Sequence, residues 1–311
     1  MSELTINDLA SKHLGQSGSY AVYTEQFDPT LLVPMPRELA RKDWGIKGNE
    51  FVGVDTWHCH EATFLLNNGL PLAGTLKIVY SSESEFMVES KSIKLYINSF
   101  DMCKMGATVE QAIVNYEAQV KKDLSELLKT NVEVFFHKNN SDKTNSSDPG
   151  ETYKDIYEYL SSYELEELSI TDYSAKEKHL IFNEDKSNDG KDVINQYRLS
   201  TNVLRSRCRH TKQKDTGSAF IYILTKNATL DIKSLLKEII SLREVNEFHE
   251  FCSEKLFVEL KSHKEVIDCC VMLLYSRRGS WDICPARSTS LEMIPKVLKD
   301  ASIYTTKQMG Q

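Results

Sequence analysis

Apolar residues recur along the chain at two different periods. From Thr108 onward Val109, Ala112, Ile113, Tyr116, Val120, Leu124 and Leu127 keep a three-to-four spacing. That spacing predicts a long amphipathic helix to about Lys129, opened by Thr108 and Gln111 as a capping box. Ile232, Leu235, Leu236, Ile239 and Ile240 predict a second helix over 231–243, and Asn246 caps a third that runs from Glu247 to about Leu260. Residues 74–81, 131–137, 193–203, 218–224 and 266–275 read as strands. So does 86–100, paired with 74–81, because Ile93, Leu95 and Ile97 alternate toward one face. Strands around one or two helices occur twice, which predicts an α+β fold of duplicated modules.

The two modules are separated by a stretch with nothing to bury. Residues 138–150 contain no aliphatic or aromatic side chain, and an acidic, tyrosine-bearing stretch follows to Tyr173, with a short surface helix expected around 155–167. The division expected is therefore 1–137, a connector or insertion over 138–176, and 177–311. The chain has 311 residues, 41% hydrophobic and 27% charged, the balance of a soluble globular protein. Its longest apolar run, 269–275, is too short to span a membrane, and the N-terminus shows no secretory signal, so a cytoplasmic protein is expected. With 38 basic against 45 acidic residues the net charge is −7, which disfavours a broad nucleic-acid-binding surface. Seven cysteines without paired spacing argue for free thiols rather than a disulfide framework.

Neither GxGxxG nor GxxxxGK[ST] occurs, so a Rossmann site and a P-loop are unsupported. The segment from Arg205 to Asp215 places Cys208 among Arg205, Arg207, Arg209, His210, Lys212 and Lys214, and nearby cations favour the nucleophilic thiolate. If extended, it puts Ser206, Cys208 and His210 on one side. Asp215 returns after a turn, and becomes a proton donor if burial raises its pKa. Read by itself, the segment also fits a solvated basic loop with an incidental cysteine. His249 and Glu250 fall in the first turn of a helix, where the dipole keeps a carboxylate ionised and able to accept two parallel hydrogen bonds from a guanine-like edge. Glu89 and Lys91 continue the apolar face of Ile93, Leu95 and Ile97, which marks either a pocket mouth or a strand end. After the strand at 266–275, Arg278 and Gly279 form a turn whose backbone and guanidinium suit phosphates. His58 and His60 share one face of an extended segment with Cys59 on the other, and no fourth ligand is evident, so no metal is expected.

Taken together and in this order, these blocks resemble the long, two-module form of the NADPH-dependent 7-cyano-7-deazaguanine reductases, the nitrile reductases of queuosine biosynthesis. The resemblance lies in the signature strand at 89–100 (Glu89-Ser-Lys-Ser-Ile-Lys-Leu-Tyr), in Ser206, Cys208, Thr211, Gln213, Asp215, Gly217 and Ser218, and in His249-Glu250 followed by Cys252 and Glu254. It continues in Arg277-Arg-Gly279, Asp282-Ile283, Pro285 and Arg287-Ser288, and in the opening from Phe27 to Arg37. The family fold is the tunnelling fold, antiparallel sheets with helices packed on one face, and homodimers are usual. The resemblance implies that Cys208 adds to the nitrile carbon to give a thioimidate and that Asp215 donates a proton. It implies that Val88, Glu89, Ser90, His249 and Glu250 hold the deazaguanine. Ser90, Lys91, Arg278 and Gly279 would hold NADPH, with His249 as a further proton relay. The chain departs from the family pattern at Arg207, Arg209, His210, Lys214, Thr216, Ser280, Trp281 and Cys284. The competing readings are a relative that forms an amidine on the same thioimidate, and a purine-binding module that has lost activity.

Overall fold

The computed structural model describes residues 26–138, 145–209, 211–308 and 311. The first half runs β1 (Pro34–Pro36), α1 (Arg37–Asp43), β2 (Val52–Leu66), β3 (Pro71–Ser81), β4 (Phe86–Val88), α2 (Ser90–Asn98), β5 (Lys104–Gly106), α3 (Val109–Leu128) and β6 (Val132–Lys138). A linking region contains β7 (Ser146–Ser147), β8 (Lys154–Asp155) and α4 (Ser162–Glu166). The second half runs β9 (Phe182–Glu184), β10 (Ile194–Arg207), β11 (Lys214–Lys226), β12 (Ala228–Leu230), α5 (Ile232–Ser241), α6 (His249–Lys261), β13 (Val266–Tyr275), β14 (Trp281–Ser288), α7 (Lys296–Lys299) and β15 (Tyr304–Thr305).

One nine-stranded sheet spans both halves in the order β6-β3-β2-β14-β13-β11-β10-β8, with β5 beside β2. The halves meet where β14 pairs antiparallel with β2 along its whole length, from Trp281 opposite Cys59 to Ser288 opposite Val52. Helices α2, α3, α5 and α6 pack on one face, over two apolar clusters. One contains Phe64, Ile93, Tyr96, Tyr116, Leu124 and Phe136, and the other Ile221, Leu235, Leu236, Phe257, Val271 and Leu273. The α+β antiparallel architecture with helices on one face is as expected. The opposite face is not open to water. Ile294, Val297, Leu298 and Ala301 cover Val54, Val79, Met272, Leu274 and Ala286 there, and Tyr153 packs on Phe220.

Burial on both faces explains why sequence periodicity missed β2 and β14. Every residue of β14 and the run from Gly53 to Cys59 is buried, so no wet face imposes alternation. The turn expected at Arg278 and Gly279 is present, and from Trp281 the chain runs on as β14.

The signature segment at 89–100 corrects the sequence reading more sharply. Its strand ends at Val88 and pairs with β1, not with β3; Ser90 to Asn98 is helix α2. The Glu89 carboxylate caps it, accepting from the backbone N–H of Lys91 at 2.8 Å and of Ser92 at 2.7 Å. Ile93, Tyr96 and Ile97 then fall on one helical face and are buried. The alternation of Ile93, Leu95 and Ile97 contained that helical pair, and packing against α3 selected the helical period.

Elsewhere the differences are small. Thr108 caps α3, but Gln111 reaches back to the N–H of Ala107 rather than completing a capping box. Helix α6 begins two residues later than expected, with Phe248 and not Asn246 in the cap position. In the acidic stretch, one 3-10 turn at Ile156–Tyr159 and the short α4 replace a single helix.

Candidate active site

A cavity of about 250 Å³ opens at the seam between the halves. Its wall comes from separated segments: Val88, Ser90, Lys91 and Lys94 at the start of α2, and Cys208, Arg209 and Asp215 at the β10–β11 turn. The start of α6 adds Phe248, His249 and Glu250, and the β13–β14 turn adds Arg278 and Gly279. Trp57, Trp281 and Ile283 of the central strands close the floor. Nine of the ten site residues expected from the sequence therefore converge; Glu89 does not reach the lining, because its carboxylate is engaged as the α2 cap.

Strand β10 ends at Arg207, so Cys208 lies in the turn rather than on an extended run. The turn is closed by Cys208 N–H to the Gln213 carbonyl at 2.9 Å and Lys212 N–H to the Cys208 carbonyl at 3.0 Å. His210 lies outside the described residues. Two ion pairs bracket the cysteine, Arg207 with Glu244 at 2.9 Å and Arg209 with Glu247 at 3.0 Å. Both departures from the family pattern thus tie the Cys208 turn to the segment leading into α6. None of the seven cysteines is disulfide-bonded, and burial pushes the thiols of Cys59, Cys252, Cys270 and Cys284 up to about 12. Cys208 is the cysteine of the cavity wall, and it is partly exposed.

Asp215 is held by an arginine and a histidine. Arg278 Nη1 stands 3.0 Å from one carboxylate oxygen and His249 Nε2 3.4 Å from the other. Burial pushes its pKa up, but His249 and then Arg278 outweigh burial and leave it below the ordinary carboxylate value. This corrects the expectation of a raised pKa: Asp215 is an anion here. The His249 ring stacks on Tyr275 with centroids 3.7 Å apart and planes 6° from parallel, and its Nδ1 is buried with no hydrogen bond among the described residues.

Glu250 behaves oppositely. Burial first, and the charge of Asp55 second, push its carboxyl up to about 7, against the dipole argument that kept it ionised. Asp55 belongs to a buried lattice under α6: Arg37 at 2.5 Å and Arg287 at 2.8 Å hold its two oxygens, while Glu254 pairs with Arg287 at 3.0 Å and Arg41 at 2.9 Å.

Eight lining residues were not among those expected: Trp57, Lys94, Arg209, Glu247, Phe248, Ser276, Trp281 and Ile283. Lys94 follows Lys91 by three, so a helix puts both on one side, whereas a strand would have separated them. Its Nζ donates to the Arg278 carbonyl at 2.7 Å.

His58 and His60 do share a face, and both bond Asp282, at 2.7 Å and 2.6 Å. Cys284 lies close enough to complete a three-ligand group. However, the Lys307 ammonium sits 3.0 Å from Asp282 and supplies the positive charge that a metal would. Burial and then Lys307 push His58 down to about 3, so its imidazole is neutral.

The model of the nitrile reductase, 7-cyano-7-deazaguanine-reductase N-terminal family matches residues 23–136. An NADPH-dependent 7-cyano-7-deazaguanine reductase of Rickettsia massiliae is 32% identical over 274 residues, covering 88% of this chain and 92% of the relative. This chain belongs to that family. The reductase of Rickettsia felis matches equally, 32% identical over 275 residues with the same coverage. Among solved structures, an apo archaeosine synthase QueF-Like covers 32% of this chain and 92% of its own, at 18% identity and a TM-score of 0.26. No described helix is long and apolar enough to cross a membrane.

A nicotinamide cofactor of this family has to find cations and a close backbone approach without a glycine-rich helix start. Lys91, Lys94 and Arg278 supply the cations on one wall. Gly279 supplies the approach: it has φ +57°, and a Cβ there would come 3.2 Å from Lys94 Nζ. The residues fit the group.

Proposed function

We propose that this protein reduces the nitrile of 7-cyano-7-deazaguanine to the aminomethyl group, with Cys208 as nucleophile and NADPH as reductant. The observation that carries the reading is the convergence on one cavity of a cysteine, a cation-paired carboxylate, a buried carboxyl and a lysine–arginine wall. Glu250 meets the N1–H and amino group of the deazaguanine as a carboxylate, losing its proton to do so. His249, fixed flat on Tyr275, and Val88 and Ser90 from the other half hold the ring system. Ser90, Lys91, Arg278 and Gly279 hold the cofactor, and Lys94 joins them.

Asp215, as a carboxylate, takes the thiol proton as Cys208 Sγ bonds to the nitrile carbon. A C≡N π pair moves to nitrogen, and the same proton passes from Asp215 to that nitrogen, giving the thioimidate. NADPH, when bound, supplies the hydride for each of two reductions. Cys208 leaves as thiolate between them, and one solvent proton per reduction reaches the substrate through Asp215 or His249. An amidine-forming chemistry would leave Lys91, Lys94 and Arg278 without a task.

The same reading takes 1–137 and 177–311 as tunnelling-fold modules joined through 138–176, and the working form as a cytoplasmic homodimer. Sedimentation of the purified protein checks the dimer. Intact mass after mixing with the nitrile, without NADPH, tests the chemistry. An adduct of the nitrile's mass is expected, absent from Cys208→Ala and discharged by NADPH. A folded protein that formed no adduct would remove Cys208 from its role.

A further inference from the structure

Arg278 is assigned above to the cofactor, yet in this structure its guanidinium is spent elsewhere. Nη1 bonds Asp215 at 3.0 Å, and Nη2 bonds Thr211 Oγ1 at 2.7 Å and Gln213 Oε1. All three partners lie in the segment just after Cys208. The backbone of Arg278 is fixed independently: its N–H donates to the Trp281 carbonyl at 2.8 Å, and its own carbonyl accepts from Lys94. The side chain, by contrast, is 37% exposed, while the Asp215 side chain is 6% exposed. A pinned backbone with a long, solvated side chain allows the guanidinium to change partner without moving the turn.

We infer that Arg278 is a movable counter-ion, pairing with Asp215 while the cofactor is absent and leaving it for an anionic group of NADPH, which turns Asp215 from proton acceptor into proton donor. The inference rests on the reductase reading and deepens it. A guanidinium fork matches a phosphate at least as well as it matches a carboxylate, and a phosphate carries more charge. Once Arg278 leaves, the groups still facing Asp215 are His249 from α6, Lys94 from α2, Cys208 across the turn, and the neutral Tyr275 and Cys252 beneath. Burial of Asp215 then meets less opposition, and its protonated form gains.

The two halves of the chemistry ask for this order. Thioimidate formation needs a carboxylate to accept the Cys208 proton as the S–C bond forms. Each reduction oxidises one NADPH and adds a hydride to carbon and one solvent proton to nitrogen, and that proton needs an acid beside the substrate. A counter-ion that departs when the reductant arrives supplies the base first and the acid second.

The test follows the Asp215 carboxyl directly, by NMR of protein 13C-labelled at aspartate Cγ, with Asp215→Asn identifying the resonance. NADPH is added without the nitrile, so nothing turns over. The titration midpoint of Asp215 is expected to rise by about one pH unit on saturation, tenfold in the protonated fraction. In Arg278→Ala the midpoint should already be raised and should not respond to NADPH. Arg278→Lys, which keeps the charge without the fork, should sit between. Calorimetric binding of NADPH with no movement of the wild-type midpoint would overturn the inference and leave the reductase reading intact. If NADPH does not bind the folded protein at all, both fall.

Discussion

Two clusters of arginine and carboxylate lie on either side of the start of α6, and they do opposite work. In the lattice beneath it, Arg37, Asp55, Arg287 and Glu254 have side chains no more than 1% exposed, and each carboxylate is shared by at least two arginines. In the cavity above it, Asp215 has one arginine and one histidine, and the arginine is 37% exposed. The same residue types are a scaffold where every charge is doubly held and, in the proposed mechanism, an acid–base site where one partner leaves. Glu250 sits between them and takes its raised pKa from the lattice side, where burial and Asp55 act together.

The largest expected effect separates the two clusters. Asp55→Ala leaves Arg37 and Arg287 buried without a counter-charge and should cost about 3–5 kcal/mol of stability, read by urea unfolding. Asp215→Asn should cost less than about 1 kcal/mol and yet abolish turnover, because its partners reach water. Equal losses in the two variants would erase the distinction. Next comes Glu250→Gln, which swaps an acceptor for a donor where the proposed binding mode sets the guanine edge. Affinity for the nitrile should fall about 10- to 100-fold, measured by calorimetry, while the variant's binding loses its pH dependence.

The pH dependence of the wild type sharpens the same point. Glu250 titrates at about 7 in the folded protein against an ordinary 4.5, so the folded state holds a proton that the unfolded state has released. Its contribution to stability is therefore full below pH 4.5, declines as pH rises toward 7, and is level above that. Substrate binding runs the other way: affinity should drop about tenfold per pH unit below 7, with proton release detectable at pH 6 in buffers of different ionisation enthalpy. The smallest effect concerns the turn that carries Arg278. Gly279 and Ser280 both have positive φ, +57° and +61°. Ser280→Gly should relieve about 0.5–1 kcal/mol, seen as a raised Tm.

How far these features were readable from the chain depended on water. Helices α3 and α5 and strands β3, β6, β10, β11 and β13 carry enough one-sided or continuous apolar pattern to be located, and all are present near the expected bounds. Strands β2 and β14 were not legible, because Asp55, Thr56, His58 and Asp282 are polar yet buried and read as surface. The site was legible through family resemblance in nine residues. Lys94 was lost with the wrong period at 89–98, and Trp57 with the unrecognised β2. The protonation states of Asp215 and Glu250 were not readable at all, since both are set by the folded surroundings: His249 and then Arg278 act against burial at Asp215, and burial and then Asp55 act together at Glu250.

The pairing of β2 with β14 has a consequence for how the protein is made. Trp281 lies opposite Cys59, more than two hundred positions apart in the chain. At ordinary translation speeds of about 5–20 residues per second, β2 waits on the order of 10–45 s for its partner strand to be synthesised. Throughout that interval the first half emerges with a long strand edge unpaired, its Asp55, Thr56 and His58 among apolar residues. A ribosome-bound chain should therefore recruit a chaperone at that edge, and release it only when β14 has cleared the exit tunnel.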